Sequence, residues 1–167
     1  MEHPLEIFKY CPVCGSEHFE VHNFKSKKCC DCGFTYYANP CSATAAFIVN
    51  DNDEMLVVRR AKEPAKGTLD LPGGFVDMGE TVEEGMVREI KEETNLDVSV
   101  GDFCEAIQND YSHKRTVQIM MYLENIEGEV KISDEHTDWK WATLEEIKTL
   151  NISTSLKKLL KKRNWEI

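Results

Sequence analysis

Apolar and polar positions along this chain change rhythm at about residue 40. Beyond it, residues 42–49 are small, β-branched and apolar, the make-up of a buried strand. Asp51-Asn52-Asp53 is a turn signal, and residues 54–60 (Glu-Met-Leu-Val-Val-Arg-Arg) read as the returning strand of a hairpin. A polar loop with Pro64 and Gly67 follows, and Pro72-Gly73-Gly74 ends any regular element within 69–76. Residues 81–94 place Val82, Met86 and Ile90 at i, i+4 and i+8, with Val87 as a fourth candidate, which predicts an amphipathic helix. Thr81 is its expected N-cap, Glu84 completes a capping box, and Asn95 can close it in left-handed geometry. Residues 98–107, 116–123 and 139–142 read as strands, 144–150 and 154–163 as helices. The pattern is that of a mixed α/β domain.

Before residue 40 there is little periodicity, and cysteine takes its place. Five of the seven cysteines lie between Cys11 and Cys32. Cys11-Pro-Val-Cys14-Gly and Cys29-Cys30-Asp-Cys32-Gly are two Cys-x-x-Cys pairs, each followed by a glycine that lets the knuckle turn. Four thiolates at this spacing match a closed, tetrahedral, structural Zn²⁺ site on Cys11, Cys14, Cys29 and Cys32. Cys30 falls outside the two-residue gap and is read as a spectator. Cys41 and Cys104 are read as small buried hydrophobes, and His3, His18 and His22 as surface residues.

Composition narrows the partners. A net charge of −10 argues against nucleic acid, whose phosphates call for a basic surface. The basic stretch from Lys157 to Arg163 is the exception. No apolar run reaches the roughly 20 residues that span a membrane, and Met-Glu-His-Pro-Leu-Glu is not a secretory signal. The expectation is a cytoplasmic protein with reduced thiols. Apolar edges around the cysteine module suggest a homodimer.

The richest chemistry lies in residues 74–96. Glu89, Glu92 and Glu93 are three and four apart, so a helix brings their carboxylates onto one face. Like charges so placed cost a few tenths of a kcal/mol each. A divalent cation accounts for them better than packing does. The spacing of Gly74, Glu80, Arg88-Glu89, Glu92-Glu93 and Leu96, behind the lead-in Gly67-Thr-Leu-Asp-Leu-Pro-Gly-Gly, resembles the signature box of the Nudix hydrolases. Asn95 stands where that family usually has Gly, and it accepts the same left-handed backbone.

The resemblance implies an α+β fold: a Nudix α/β/α sandwich with a mixed β-sheet over 39–167, preceded by a small zinc ribbon over 1–38. It implies hydrolysis of a pyrophosphate bond in a nucleoside diphosphate linked to another moiety. It also implies Mg²⁺ or Mn²⁺ on Glu89, Glu92, Glu93 and the Gly73 carbonyl, with Gly74, Glu80 and Arg88 structural. One of these glutamates, or a downstream acid, is the general base. Glu135 holds the family's loop-acid position six residues before Trp141, with Asp134 and Glu129 as alternatives. Arg59 or Arg60 is a candidate contact for substrate phosphate, and Tyr111 for substrate. A four-cysteine ribbon before such a domain is similar to that of the NADH pyrophosphatases, yet no proline follows Pro72, so their Pro-rich specificity stretch is absent. A non-catalytic metabolite sensor or nucleic-acid-binding module is the alternative, opposed by the intact acidic set. An isoprenoid diphosphate isomerase would need a catalytic set not identifiable here.

Overall fold

The computed structural model describes residues 3–111 and 114–165, except for the side chains at 110, 111 and 114. It divides into two compact units, Met1–Pro40 and Cys41–Ile167.

In the first unit, β1 (Phe19–Asn23), β2 (Ser26–Cys29) and β3 (Thr35–Tyr37) form an antiparallel sheet in that order. These strands were not legible as apolar alternation, because the unit's buried cluster is small: Cys11, Phe19 and Cys29, with Phe34 packed against them. Backbone hydrogen bonds shape the two knuckles alike. Gly15 N–H donates to Cys11 O (2.9 Å) and Gly33 N–H to Cys29 O (3.0 Å). Cys11 and Cys29 N–H then donate to the carbonyls five residues on, Ser16 (2.8 Å) and Phe34 (2.8 Å). Both glycines sit at positive φ, where a side chain would be strained.

In the second unit, β4 (Cys41–Phe47) runs parallel to β8 (Lys114–Glu127), which is antiparallel to β7 (Asp97–Tyr111). A second sheet has the order β6 (Leu69–Asp70), β5 (Met55–Arg60), β9 (His136–Ala142). The expected reversal of residues 42–60 is present at its turn, where Val49 bridges Met55 antiparallel, Asn50 N–H donates to Glu54 O (3.0 Å) and Leu56 N–H to Ile48 O (2.9 Å). Beyond that point the two strands enter different sheets, which corrects the hairpin. Both halves are apolar on both faces, so cross-strand partners other than each other can take them. The later strands exceed their predicted lengths, because pairing carries them into polar sequence that alternation does not mark.

The two faces of these strands feed two cores. Ala45, Phe47, Met55 and Val57 pack with Ile147 of α2 (Leu144–Thr149) and with Leu156, Leu159 and Leu160 of α3 (Thr154–Lys162). Ala46, Ile48 and Leu56 pack with Met86 and Ile90 of α1 (Val82–Thr94). Helices thus cover both sides of the strands, an α/β/α sandwich with a mixed sheet. The α1 capping box on Thr81 and Glu84 is present, and Asn95 closes the helix at φ 63°. Val87 is exposed, not part of the buried stripe, and Cys41 is exposed where burial was expected; Cys104 is buried.

The loop before α1 is tied to β4 like an added strand. Thr44 N–H donates to Gly74 O (2.7 Å), Ala46 N–H to Pro72 O (2.9 Å) and Val76 N–H to Ser42 O (3.1 Å). This fixes the Gly73–Gly74 turn against β4, with Gly73 N–H reaching Glu93 of α1.

Candidate active site and metal centres

A cleft of about 600 Å³ opens between the Gly73–Gly74 turn and the C-terminal half of α1 on one side, and the ends of β5 and β9 on the other. Glu93 is the most deeply buried acid that α1 gives it. Its side chain is buried, and its Oε2 accepts the Gly73 N–H at 2.8 Å. Burial pushes its carboxyl up to about 8. Glu89, half-buried, is likewise raised by desolvation. Two adjacent glycines bring backbone this close for different reasons. Gly73 has φ 135°, and a Cβ there would lie 2.6 Å from Thr44 O. A Cβ on Gly74 would lie 2.5 Å from the Glu89 carboxylate.

Arg88 organises the remaining acids. Its Nε and Nη2 donate to Glu80 at 2.6 and 2.9 Å, a bidentate pair. Nη2 also donates to Phe75 O (3.0 Å), and Nη1 to Glu89 (3.0 Å) and Glu92 (3.3 Å). The Arg88 guanidinium, with the Asp77 N–H, holds the Glu80 carboxyl at about 2. The loop is thereby stapled to α1.

On the opposite wall stand Arg60, Lys62, Asp134, Glu135 and His136. Lys62 Nζ bridges Glu135 (3.3 Å) and Asp134 (3.6 Å). Of the two arginines, Arg60 lines the cleft, its Nε donating to Pro64 O (2.8 Å), whereas Arg59 donates to Gly67 O (2.9 Å), lies 3.8 Å from Asp138 and is not part of the cleft lining. Asp134 joins Glu135 at the cleft; Glu129 is exposed, with its carbonyl accepting from Asn95 (3.3 Å). Tyr111 closes β7, and its side chain lies outside the described residues.

Sequence reasoning missed Lys62, Asp70 and His136, all of which line the cleft. Asp70 carried a signal, a lone carboxylate between Leu69 and Leu71. It is fully buried and raised to about 6 by desolvation. Lys62 and His136 had none, because only the pairing of Arg60 with His136 across β5 and β9 brings them together.

The donors of this cleft are hard oxygens, the set that Mg²⁺ and Mn²⁺ take. Arg88 divides them, so Glu89 and Glu92 must turn from its guanidinium to share an ion with Glu93. The ribbon thiols are already gathered. Among the described residues, Cys11, Cys14, Cys29 and Cys32 form the set whose ligand atoms lie within 4.8 Å of one another. Cys11–Cys32 and Cys14–Cys29 sulfurs are 3.6 Å apart. A tetrahedron with Zn–S near 2.3 Å has edges of about 3.8 Å, so Zn²⁺ fits this cage. Backbone N–H groups of Cys32 and Asp31 pull the Cys29 thiol below its ordinary range, toward the thiolate that binds metal. Cys30 stands outside the cage, exposed.

Comparison with known proteins gives this geometry a lineage. Residues 40–162 match the model of the NUDIX domain. The chain is 36% identical over 121 residues to an ADP-ribose pyrophosphatase of Methanocaldococcus jannaschii, covering 70% of each protein. It is 32% identical over 99 residues to an NAD-capped RNA hydrolase of Vibrio atlanticus, covering 58% of this chain but 35% of that one. The chain therefore spans about a third of that longer relative. The crystal structure of the MutT protein from Methanosarcina mazei superposes with a TM-score of 0.69 at 27% identity, over 76% of this chain and 95% of that one. With the glycine turn, the acids of α1 and the sandwich behind them all in place, the chain belongs to the Nudix family of pyrophosphohydrolases.

Proposed function

We propose that this protein hydrolyses the diphosphate of a nucleoside diphosphate derivative, of the kind found in ADP-ribose, nucleotide sugars or dinucleotides, with Mg²⁺ or Mn²⁺ as cofactor. The observation that carries this reading is one cleft that gathers the carboxylates of α1 on one wall and two cations, Arg60 and Lys62, among the acids Asp134 and Glu135 on the other. Glu89, Glu92 and Glu93 face it from α1, Arg60 from the end of β5 and Lys62 from just beyond it. Held by those glutamates and the Gly73 carbonyl, a divalent cation would neutralise phosphate charge and make water a stronger acid. Arg60 and Lys62 receive phosphate oxygens from the other side. The glycine turn lets backbone approach the diphosphate, and the Glu80–Arg88 pair keeps that turn in register with α1. Glu135, at the rim beside Lys62, is the candidate general base. Residues 1–38 form a module whose Zn²⁺ is structural, and 39–167 form the hydrolase domain.

The relative named as an ADP-ribose pyrophosphatase makes ADP-ribose the first substrate to try. NADH, dinucleoside polyphosphates, nucleotide sugars and nucleoside triphosphates complete the panel, assayed for phosphate-bearing products with Mg²⁺ and with Mn²⁺. Turnover of at least one diphosphate is expected, abolished by chelation and reduced at least ~100-fold in Glu93→Gln, the scale of losing a properly placed catalytic group. Full activity of that variant, or full activity in chelator, would sink the mechanism.

A further inference from the structure

The cleft contains a buried imidazole that none of the roles above uses. His136 opens β9, and its side chain is only 6% exposed. Its Nε2 lies 3.9 Å from Glu93 Oε1. Its Nδ1 is buried with no hydrogen-bond partner. Its backbone is held on both sides: its N–H donates to Ser133 O (3.2 Å), and Ser133 N–H donates to Glu93 O (3.1 Å). The segment carrying the imidazole is therefore tied to the helix turn carrying the carboxylate.

A neutral imidazole has one N–H, and the environment decides which nitrogen bears it. Nδ1 offers no acceptor within reach, and a buried donor left unpaired costs about 1–3 kcal/mol. The proton therefore belongs on Nε2, which faces Glu93 Oε1 at 3.9 Å. A shortening of about 1 Å brings that pair into hydrogen-bond range. Glu93 Oε2 is already pinned by the Gly73 N–H at 2.8 Å. The second N–H would clamp the carboxylate from its other end, fixing both its rotation and the lone pairs it turns toward the cleft. Metal ligands are commonly oriented in this way by hydrogen-bond partners behind them.

We propose that His136 is the positioning residue of Glu93, its Nε2–H holding the carboxylate in the orientation that binds the divalent cation. This rests on the reading of the cleft as a Mg²⁺ or Mn²⁺ site. The side-chain amide of glutamine reaches the place of Nε2, whereas that of asparagine reaches only the place of Nδ1. The test uses the full, zinc-loaded chain with His136→Leu, His136→Gln and His136→Asn. Mn²⁺ affinity is measured by electron paramagnetic resonance, thermal midpoint by calorimetry, and kcat and KM with ADP-ribose. Leucine and asparagine are expected to weaken Mn²⁺ binding about 10-fold, the scale of one hydrogen bond to a charged group, and to lower kcat with KM little changed. Glutamine is expected to restore most of both. Equal Mn²⁺ affinity in all three variants and the wild type would overturn the proposal, as would glutamine and asparagine behaving alike. Should the leucine variant fail to fold, the glutamine–asparagine contrast decides alone. Failure of the wild type itself to bind Mn²⁺ in the cleft would instead remove the underlying reading of the site.

Discussion

Alanine placed at Gly73 and at Gly74 should produce two different failures one residue apart. At Gly74 the new Cβ meets the end of the Glu89 side chain at 2.5 Å. Ordinary contact begins near 3.4 Å, so the carboxylate must retreat by about 1 Å. A flexible side chain can do this cheaply, and replacing Gly by Ala where the backbone tolerates it contributes about 0.4–1 kcal/mol by restricting the unfolded chain. Stability should hardly change, within ~4 °C in Tm at 2–4 °C per kcal/mol for a chain of this size. If Glu89 holds the cation as proposed, a displacement of about 1 Å is another matter, since misplacement on that scale can cost about 100-fold in rate. At Gly73 the obstacle is backbone, Thr44 O at 2.6 Å, and φ is 135°. Strained φ costs about 1–3 kcal/mol, and displacing the turn weakens the Thr44–Gly74 and Ala46–Pro72 hydrogen bonds at about 1 kcal/mol each. The total of about 3–5 kcal/mol lowers Tm by roughly 6–20 °C. Differential scanning calorimetry and ADP-ribose turnover on both variants measure the contrast. A Gly74→Ala enzyme with wild-type kcat/KM, or a Gly73→Ala protein with unchanged Tm, would refute the reasoning.

Asp70 predicts a pH dependence. Folded, its carboxyl keeps its proton to about pH 6, whereas the unfolded chain releases it near 3.8. The folded state thus binds more protons between those values, and stability falls as pH rises through about 4 to 6, by about 3 kcal/mol. Glu93, raised to about 8, and Glu89 add slope of the same sign. Asp70→Asn should therefore reduce but not abolish the loss of stability between pH 4 and pH 7 in urea titrations, and an unchanged slope would remove Asp70 as a source. Arg88→Lys should lower both Tm and turnover despite keeping the charge, since an ammonium cannot reproduce the fork that holds Glu80, Phe75 O and Glu89 together; parity with wild type in both assays would show the fork to be dispensable. Stripping Zn²⁺ with a strong chelator should unfold the first unit, whose buried cluster is only Cys11, Phe19 and Cys29 with Phe34. Limited proteolysis should then cut within residues 11–34 and leave the second unit intact, and continued protection there would show that the ribbon holds without metal.

Local signals proved strongest where the chain contacts itself at short range. The capping box and Asn95 marked both ends of α1 because caps are settled by residues three or four apart. The two Cys-x-x-Cys knuckles were legible for the same reason. Arg59 and Arg60 were not separable in sequence, since adjacent strand residues point to opposite faces and only the sheet says which face is the cleft. The turn of residues 49–55 was legible, but not that its two strands part into different sheets, because an apolar run reports burial without naming its partner.

The acid spacing on α1, the glycine turn and the four thiols were written into the linear chain: each is a local arrangement whose geometry follows from helix period or backbone freedom. What stands opposite the acids was not. Lys62, Asp70 and His136 reach the cleft through strand pairings between β5, β6 and β9, the widest of which joins Met55 to Ala142. Such pairings are selected by the whole sheet and its two cores, and no short stretch of sequence contains the energy difference that chooses them.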